Sequence, residues 1–270
     1  MKLCMSSIGL GLVSAAMLTS NASAENLTLT HSVYLGGMYM GSFETEVIQS
    51  NEGYQIASTA NSNSSLDWFF SWKAKAVSEG KLDGATLRPA KHSYTSKWKD
   101  ETRSAEINFV PGEVPEYSVT GKRSNNPNKY TPIHKEALRG ALDPLTTVIA
   151  ASMKMERDGT CNSQYPVFDG RRHLSLTLSD IEPKLFKKSN YNVFSGEAKG
   201  CRITYEELGG FKKGKGYELE DDLDIYLASP VPGGRVVPVR MHVDTQLGGF
   251  ELHLEKYKDQ DVQLASRNAR

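Results

Sequence analysis

Hydrophobic and polar positions alternate with a period of two along most of this chain, the pattern of β-strands with one covered face. Phe70, Trp72, Ala74 and Ala76 alternate with Ser71, Lys73 and Lys75, and Leu174, Leu176 and Leu178 are separated by Ser175 and Thr177. Val237, Val239, Met241 and Val243 point one way from a strand whose other face carries Pro238, Arg240, His242 and Asp244. After Gly248-Gly249 the pattern restarts with Phe250, Leu252 and Leu254 against Glu251, His253 and Glu255. Two such runs joined by a Gly-Gly pair form a hairpin, because glycine supplies the positive φ angles of a tight turn. Gly36-Gly37 separates another pair, 31–35 and 38–47, and further turn signals stand at 51–53, Asp83-Gly84, Gly209-Gly210 and Gly233-Gly234. The spacing predicts about a dozen strands, mostly antiparallel.

One segment departs from this period. Asp143-Pro144 starts a helix, with Asp as N-cap and proline in the first turn. Leu145, Val148, Ile149, Ser152 and Met153 follow at helical spacing, Lys154 and Arg157 suit the dipole of the last turns, and Gly159 is a C-cap. An amphipathic helix is therefore expected over about 144–157, preceded by a polar, Asn- and Pro-rich loop from Lys122 to Gly140. It divides a single β-rich domain, 25–257, into strand halves 27–120 and 165–257 around the 122–159 loop and helix; 258–270 reads as a polar C-terminal tail. A lone helix must cover its apolar face, so it packs on or in the sheet. The fold class is mainly β: an antiparallel barrel, or an open clam or spiral, with one helix.

Composition adds a compartment. Met1 to Ala24 opens with Lys2, runs through the apolar stretch 8–18 and closes with Ala22-Ser23-Ala24, the layout of a cleaved secretory signal peptide. Cleavage there predicts a secreted protein from which Cys4 has been lost. The remaining Cys161 and Cys201 would enter an oxidising compartment, where a disulfide is expected. Closing a loop of that length is worth about 4 kcal/mol in the chain-entropy model. The chain holds 32 basic and 32 acidic residues, and losing Lys2 leaves a net charge of −1, so no overall electrostatic pull toward nucleic acid is expected. No later segment approaches the roughly 20 apolar residues of a membrane helix.

Catalytic signatures are sparse. The six histidines form no HExxH or HxH pattern, and His242 and His253 fall on the polar faces of their strands, which predicts exposed side chains. There is no G-x-S-x-G elbow and no phosphate loop, and the cysteines are not a C-x-x-C pair. The expectation is a protein that is not an enzyme and needs no cofactor. Glu218, Glu220, Asp222 and Asp224 alternate with apolar residues as a solvated strand face; Asp221 is out of phase with them. Asp169-Gly170-Arg171-Arg172 reads first as a hairpin turn beside two cations, and second as an anion or carboxylate clamp at a cavity mouth. Trp68, Phe70, Trp72 and Trp98 belong to an aromatic cluster that points to ligand binding, although aromatics also fill ordinary β cores. The small residues Ala74 and Ala76 beside them predict unfilled interior space, since close-packed cores tolerate little of it.

Several stretches resemble a known family. His31-Ser-Val-Tyr-Leu-Gly-Gly-Met-Tyr-Met-Gly41, Gly80-Lys-Leu with Leu87-Arg-Pro89, Asp143-Pro-Leu-Thr146, Val167-Phe-Asp-Gly-Arg-Arg172, and Pro238-Val-Arg240 with Gly248 together resemble the secreted bacterial family called domain of unknown function 3108. The resemblance implies a periplasmic, mostly antiparallel barrel or open clam with one helix and no established enzymatic activity. The architecture is more loosely similar to periplasmic carriers of lipids and lipoproteins and to β-spiral envelope-integrity proteins. Two functions follow as expectations: a non-catalytic binder of a lipid, acyl chain or other apolar ligand, or an envelope-integrity scaffold with a filled core that engages a periplasmic protein partner.

Overall fold

The structure is a computed structural model that describes residues 25–68, 70–121, 127–214, 223–245 and 248–267. The expected signal peptide, Asp221 and most of the acidic run lie outside the described residues. The first meander is β1 (Glu25–Leu35), β2 (Met38–Gln49), β3 (Gly53–Ser62), β4 (Trp72–Asp83), β5 (Thr86–Trp98), β6 (Glu101–Asn108) and β7 (Glu116–Thr120). Helix α1 (Pro144–Asp158) follows. The second meander is β8 (Ser163–Phe168), β9 (His173–Phe186), β10 (Gly196–Gly209), β11 (Leu223–Ala228), β12 (Val237–Val243) and β13 (Phe250–Asp259), with β14 (Val262–Ala265) returning on β13.

All these strands belong to one antiparallel sheet, in the order β7-β6-β5-β4-β3-β2-β1-β13-β12-β11-β10-β9-β8. Each meander pairs only consecutive strands, and the two join through β1 and β13, with Leu29 opposite Tyr257 and Val33 opposite Leu252. The chain passes from edge strand β7 to edge strand β8 through the linker and α1. The sheet curls until these two edges approach. They meet through side chains: the Tyr117 and Phe168 rings lie 4.8 Å apart at 77°, and the Arg171 guanidinium donates to the Thr120 carbonyl. Between them the linker runs along β8, where Leu142 N donates to Pro166 O at 2.8 Å and Phe168 N to Leu142 O at 2.9 Å. Two edge groups of β8, Pro166 O and Phe168 N, are thereby satisfied without closing the barrel. Ile107, Leu138 and Phe168 are essentially fully buried at this seam. Full burial of an apolar side chain of this size is worth about 1.5–3 kcal/mol. Gly170 permits the close approach of the two edges: its φ is +85°, and a Cβ there would fall 2.7 Å from that of Ala105.

Helix α1 lies in the concave interior. Asp143 caps it through Thr146 N and Gly159 ends it in the left-handed conformation, as the sequence predicts. The covering of its faces is less expected. Thr147, Ala151 and Met155 form the buried stripe, with Ala151 and Met155 against the cluster that holds Cys161, Cys201, Leu178 and Leu227. The more apolar stripe, Leu145, Ile149 and Met153, is only partly covered and faces β1–β3 and β12.

Two expectations need correction. The segment from 258 onward is not simply a tail: β13 continues to Asp259, the chain turns at Gln260 with φ 49°, and β14 pairs back from Val262 to Ala265. The cause lies in β12, whose pairing with β13 stops at Arg240 opposite His253. The far half of β13 then needs another partner for its backbone groups, and β14 supplies it. His253 is not exposed either. It retains 8 % of its accessible surface because Tyr34 and Tyr191 fold over that face, the Tyr34 ring 5.0 Å from the imidazole. Among the described residues no helix is long and apolar enough to cross a membrane.

Candidate functional site

The N-terminus of α1 is held by a buried polar network, and a cavity lies on either side of it. Asp143 is fully buried. Its Oδ1 accepts from Thr146 N at 3.0 Å and from the Ser78 hydroxyl at 2.6 Å, and its Oδ2 accepts from the Thr146 hydroxyl at 2.6 Å. Ser78 also lies 2.8 Å from His92 Nδ1, His92 stands 3.4 Å from Asp143, and the Tyr54 hydroxyl reaches Thr146 Oγ1 at 2.9 Å. Desolvation is the largest influence on the Asp143 carboxyl and would raise its pKa; the His92, Ser78 and Thr146 interactions together outweigh it and hold the group below the usual carboxylate range. Although Ser, His and Asp meet here, the hydroxyl bonds the carboxylate directly and is itself fully buried. The arrangement anchors a helix rather than activating a nucleophile.

The first cavity, of about 290 Å³, lies between α1 and the concave sheet. Its walls are Leu27 and Leu29 of β1, Phe43 and Val47 of β2, Ile56 of β3, Val237 and Met241 of β12, Leu252 of β13, and Leu145, Ile149 and Met153 of the helix. Polar groups are few. His31 is buried with its Nε2 2.8 Å from Pro238 O, and Thr45 bonds Ser58 at 3.1 Å. Val148, 46 % exposed, and the exposed Glu156 stand where the cavity opens, beside Arg235, which is paired with Asp259 at 2.8 Å.

The second cavity, of about 520 Å³, has a different lining. Ala76 and Tyr94 contribute from the inward faces of β4 and β5, Arg103 from β6, Asp169, Arg171 and Arg172 from the β8–β9 turn, and Lys212 and Phe211 from the segment after β10. Arg172 and Asp169 form an ion pair at 2.9 Å, and the Asp169 Oδ1 accepts the backbone N–H groups of Arg171 and Arg172 at 2.8 and 2.6 Å. Leu145 lines both cavities.

The structure thus brings Asp169, Arg171 and Arg172 together on one cavity, where the turn motif placed them. The aromatic candidates are placed differently from the expectation. Trp68 is 83 % exposed; Phe70 packs edge-on against Trp98 at 4.8 Å; Trp72 donates to Ser96 Oγ at 2.8 Å. None of the four lines the apolar cavity. The inward phase of β4 was correctly read, but Ala74 pairs with Ser96, and Ala76 pairs with Tyr94 and opens on the polar cavity. The sequence reading missed His92, Arg103 and Lys212. A signal existed for Arg103, a cation in phase with Ala105 and Ile107, which are 1 % and 0 % exposed.

Cys161 and Cys201 are fully buried, with Cα atoms 6.1 Å apart and sulfurs at disulfide distance. With Asp180 they also form a group whose ligand atoms lie within 4.8 Å of one another. Asp180 already accepts from Cys161 N at 2.8 Å and Asn162 Nδ2 at 2.9 Å, and sulfurs joined to each other offer no thiolates. The group is a tie between the helix end and β9–β10 rather than a metal centre.

Three buried histidines set an acid limit on the fold. Burial lowers the pKa of His31, with the Pro238 carbonyl opposing, and burial alone lowers that of His173. For His253, burial again comes first; Glu251 opposes it and Arg240 reinforces it. Such a histidine stays neutral in the fold but protonates once unfolded, so stability is full above its ordinary pKa of 6.5 and is lost as pH falls from there through the folded value. Each proton taken up on unfolding is worth about 1.4 kcal/mol per pH unit. The urea midpoint is therefore expected to fall steadily between pH 7 and pH 5, and His31→Gln to flatten that slope. A midpoint constant over this range would contradict it.

The family model for proteins of unknown function DUF3108 matches residues 30–255. No curated protein matches. Among solved structures, the chain is similar to a β-barrel-like protein of domain of unknown function 1849 from Brucella abortus, with a TM-score of 0.52 and 13 % identity over 88 % of this chain and 98 % of the other. That likeness extends to the fold.

Proposed function

This chain belongs to the DUF3108 family, and for it we propose a non-catalytic binding role in the periplasm: the curled sheet and α1 hold an apolar ligand such as a lipid or acyl chain. The observation that carries this reading is the apolar cavity of about 290 Å³ against the helix. Protein interiors pack to crystal-like density, and a helix offered this much apolar surface normally covers it. Here the stripe of α1 that is richest in apolar residues is the one left partly uncovered, facing equally apolar walls. A dry void of this kind is stable only at a cost in lost packing, which an apolar guest would recover. The volume lies at the lower end of the roughly 300–1,000 Å³ range of small-molecule pockets. Full burial of the Ser78 hydroxyl supports the non-catalytic reading. The signal-peptide layout of residues 1–24 and a paired Cys161–Cys201 support the compartment.

A fluorescent fatty acid is expected to bind the protein with an increase in probe emission. Ile149→Trp, which fills the cavity from the helix side, is expected to weaken binding at least about tenfold while keeping a cooperative unfolding transition. Absence of binding by the parent protein, or equal binding by the variant, would remove the reading. The alternative, an envelope scaffold or protein-interaction module, draws on Trp68 and Trp98, which are 83 % and 45 % exposed on one end of the sheet. Native mass spectrometry of protein purified from its own envelope separates the two: a stoichiometric lipid adduct favours the binder, and a clean apo mass with a reproducible protein partner favours the module.

A further inference from the structure

Resting on the binder reading above, we propose that the polar cavity seats the charged head of the same ligand, which makes that ligand an anionic amphiphile: a carboxylate or phosphate carried on an acyl chain. Among the described residues, the cations Arg103, Arg171, Arg172 and Lys212 line this cavity together with the carboxylate of Asp169. That carboxylate is committed to the turn: it accepts two backbone N–H groups and pairs with Arg172 at 2.9 Å.

The position of Arg103 argues that this charge is aimed inward. It shares the inward phase of β6 with the buried Ala105 and Ile107, where a strand facing a filled core carries an apolar side chain. Its ion pair with Glu101, at 3.4 Å, joins two half-exposed side chains and contributes little. Cations brought from a strand, a turn and a loop far apart in sequence onto one cavity form a seat that an anion completes. Guanidinium groups suit carboxylate and phosphate oxygens in particular, because their planar donors match both in two-point contact.

What ties this cavity to the apolar one is Leu145, whose side chain borders both. A molecule with its chain along the helix stripe and its head beyond Leu145 would meet apolar walls over its length and cations at its end. Neither a free anion nor a neutral hydrocarbon uses both halves.

The test compares dodecanoate, dodecanol and inorganic phosphate, each titrated into the full chain, into Lys212→Glu and into Arg103→Glu. Neither substitution touches the β8–β9 turn or the apolar walls. Dodecanoate is expected to bind the parent at least about tenfold more tightly than dodecanol, with a preference that shrinks as salt is raised. Each charge reversal is expected to abolish that preference. Equal binding of acid and alcohol by the parent, or a preference that survives both reversals, overturns the head seat while leaving the apolar binder intact. Failure of both to bind removes the binder reading itself. Phosphate binding without dodecanoate binding, lost in Lys212→Glu, would show an anion site that does not serve an amphiphile and overturns the proposal as stated. Retained dodecanol binding in each variant certifies that it has folded.

Discussion

Asp143→Ala is expected to lower the stability of this protein by about 3–5 kcal/mol, the range for removing one partner from a buried, hydrogen-bonded charged group. Loss of an N-cap alone accounts for about 1 kcal/mol. The remainder comes from groups left without their acceptor: the Ser78 hydroxyl and the Thr146 hydroxyl and backbone N–H. Asp143→Asn keeps the capping oxygen and separates the two contributions, so its loss should be distinctly smaller. Urea unfolding of the three proteins checks this, and an alanine variant within about 1 kcal/mol of the parent would show that the network is not what holds the helix. Because Leu145 lies two residues on and borders both cavities, the same variant should also bind a fatty-acid probe less tightly.

Cys201→Ser is expected to be comparably costly, by up to about 4 kcal/mol, while leaving the far-ultraviolet spectrum nearly unchanged. The pair spans 40 positions and fastens the segment just beyond the C-cap of α1 to β10, and both residues are fully buried. Its main effect is on the unfolded chain, so reductant should lower the parent's unfolding midpoint toward that of the variant and leave the variant's own midpoint unmoved. Two alkylatable thiols in the native protein would overturn the pairing.

Much of this fold was legible residue by residue. The alternation at Trp72, Ala74 and Ala76 gave the inward face of β4, and it continues to Ser78, which is fully buried. The Gly36-Gly37 and Gly248-Gly249 pairs marked real hairpins. Asp143, Pro144 and Gly159 bounded the helix. In each case the deciding interaction is local, spanning a few residues of backbone, so a local pattern carries it.

The candidate site was legible only in part. The turn motif Asp169-Gly170-Arg171-Arg172 declared two cations beside a tight bend, and that bend does border a cavity. The aromatic cluster misled: Trp68, Phe70 and Trp98 gather at one end of the sheet, while the apolar cavity is walled mainly by aliphatic residues. Aromatic content marks strands that pack something, but it does not say against what. His253 misled for the reverse reason. A polar strand face reads as exposed until another part of the chain, here Tyr34 and Tyr191, is laid over it.

By itself the sequence determined the strand period, the hairpin turns and the two ends of the helix, because each depends on neighbours within one turn or one pleat. Only the tertiary structure decided that β1 pairs with β13, that the sheet curls without closing, and which stripe of α1 is left facing a void. Those outcomes depend on how much the sheet coils and on which surfaces far apart in sequence are brought together. Leu29 finds Tyr257 and Ser78 finds Asp143 only after that global curvature is set, and both cavities are what the curvature leaves unfilled.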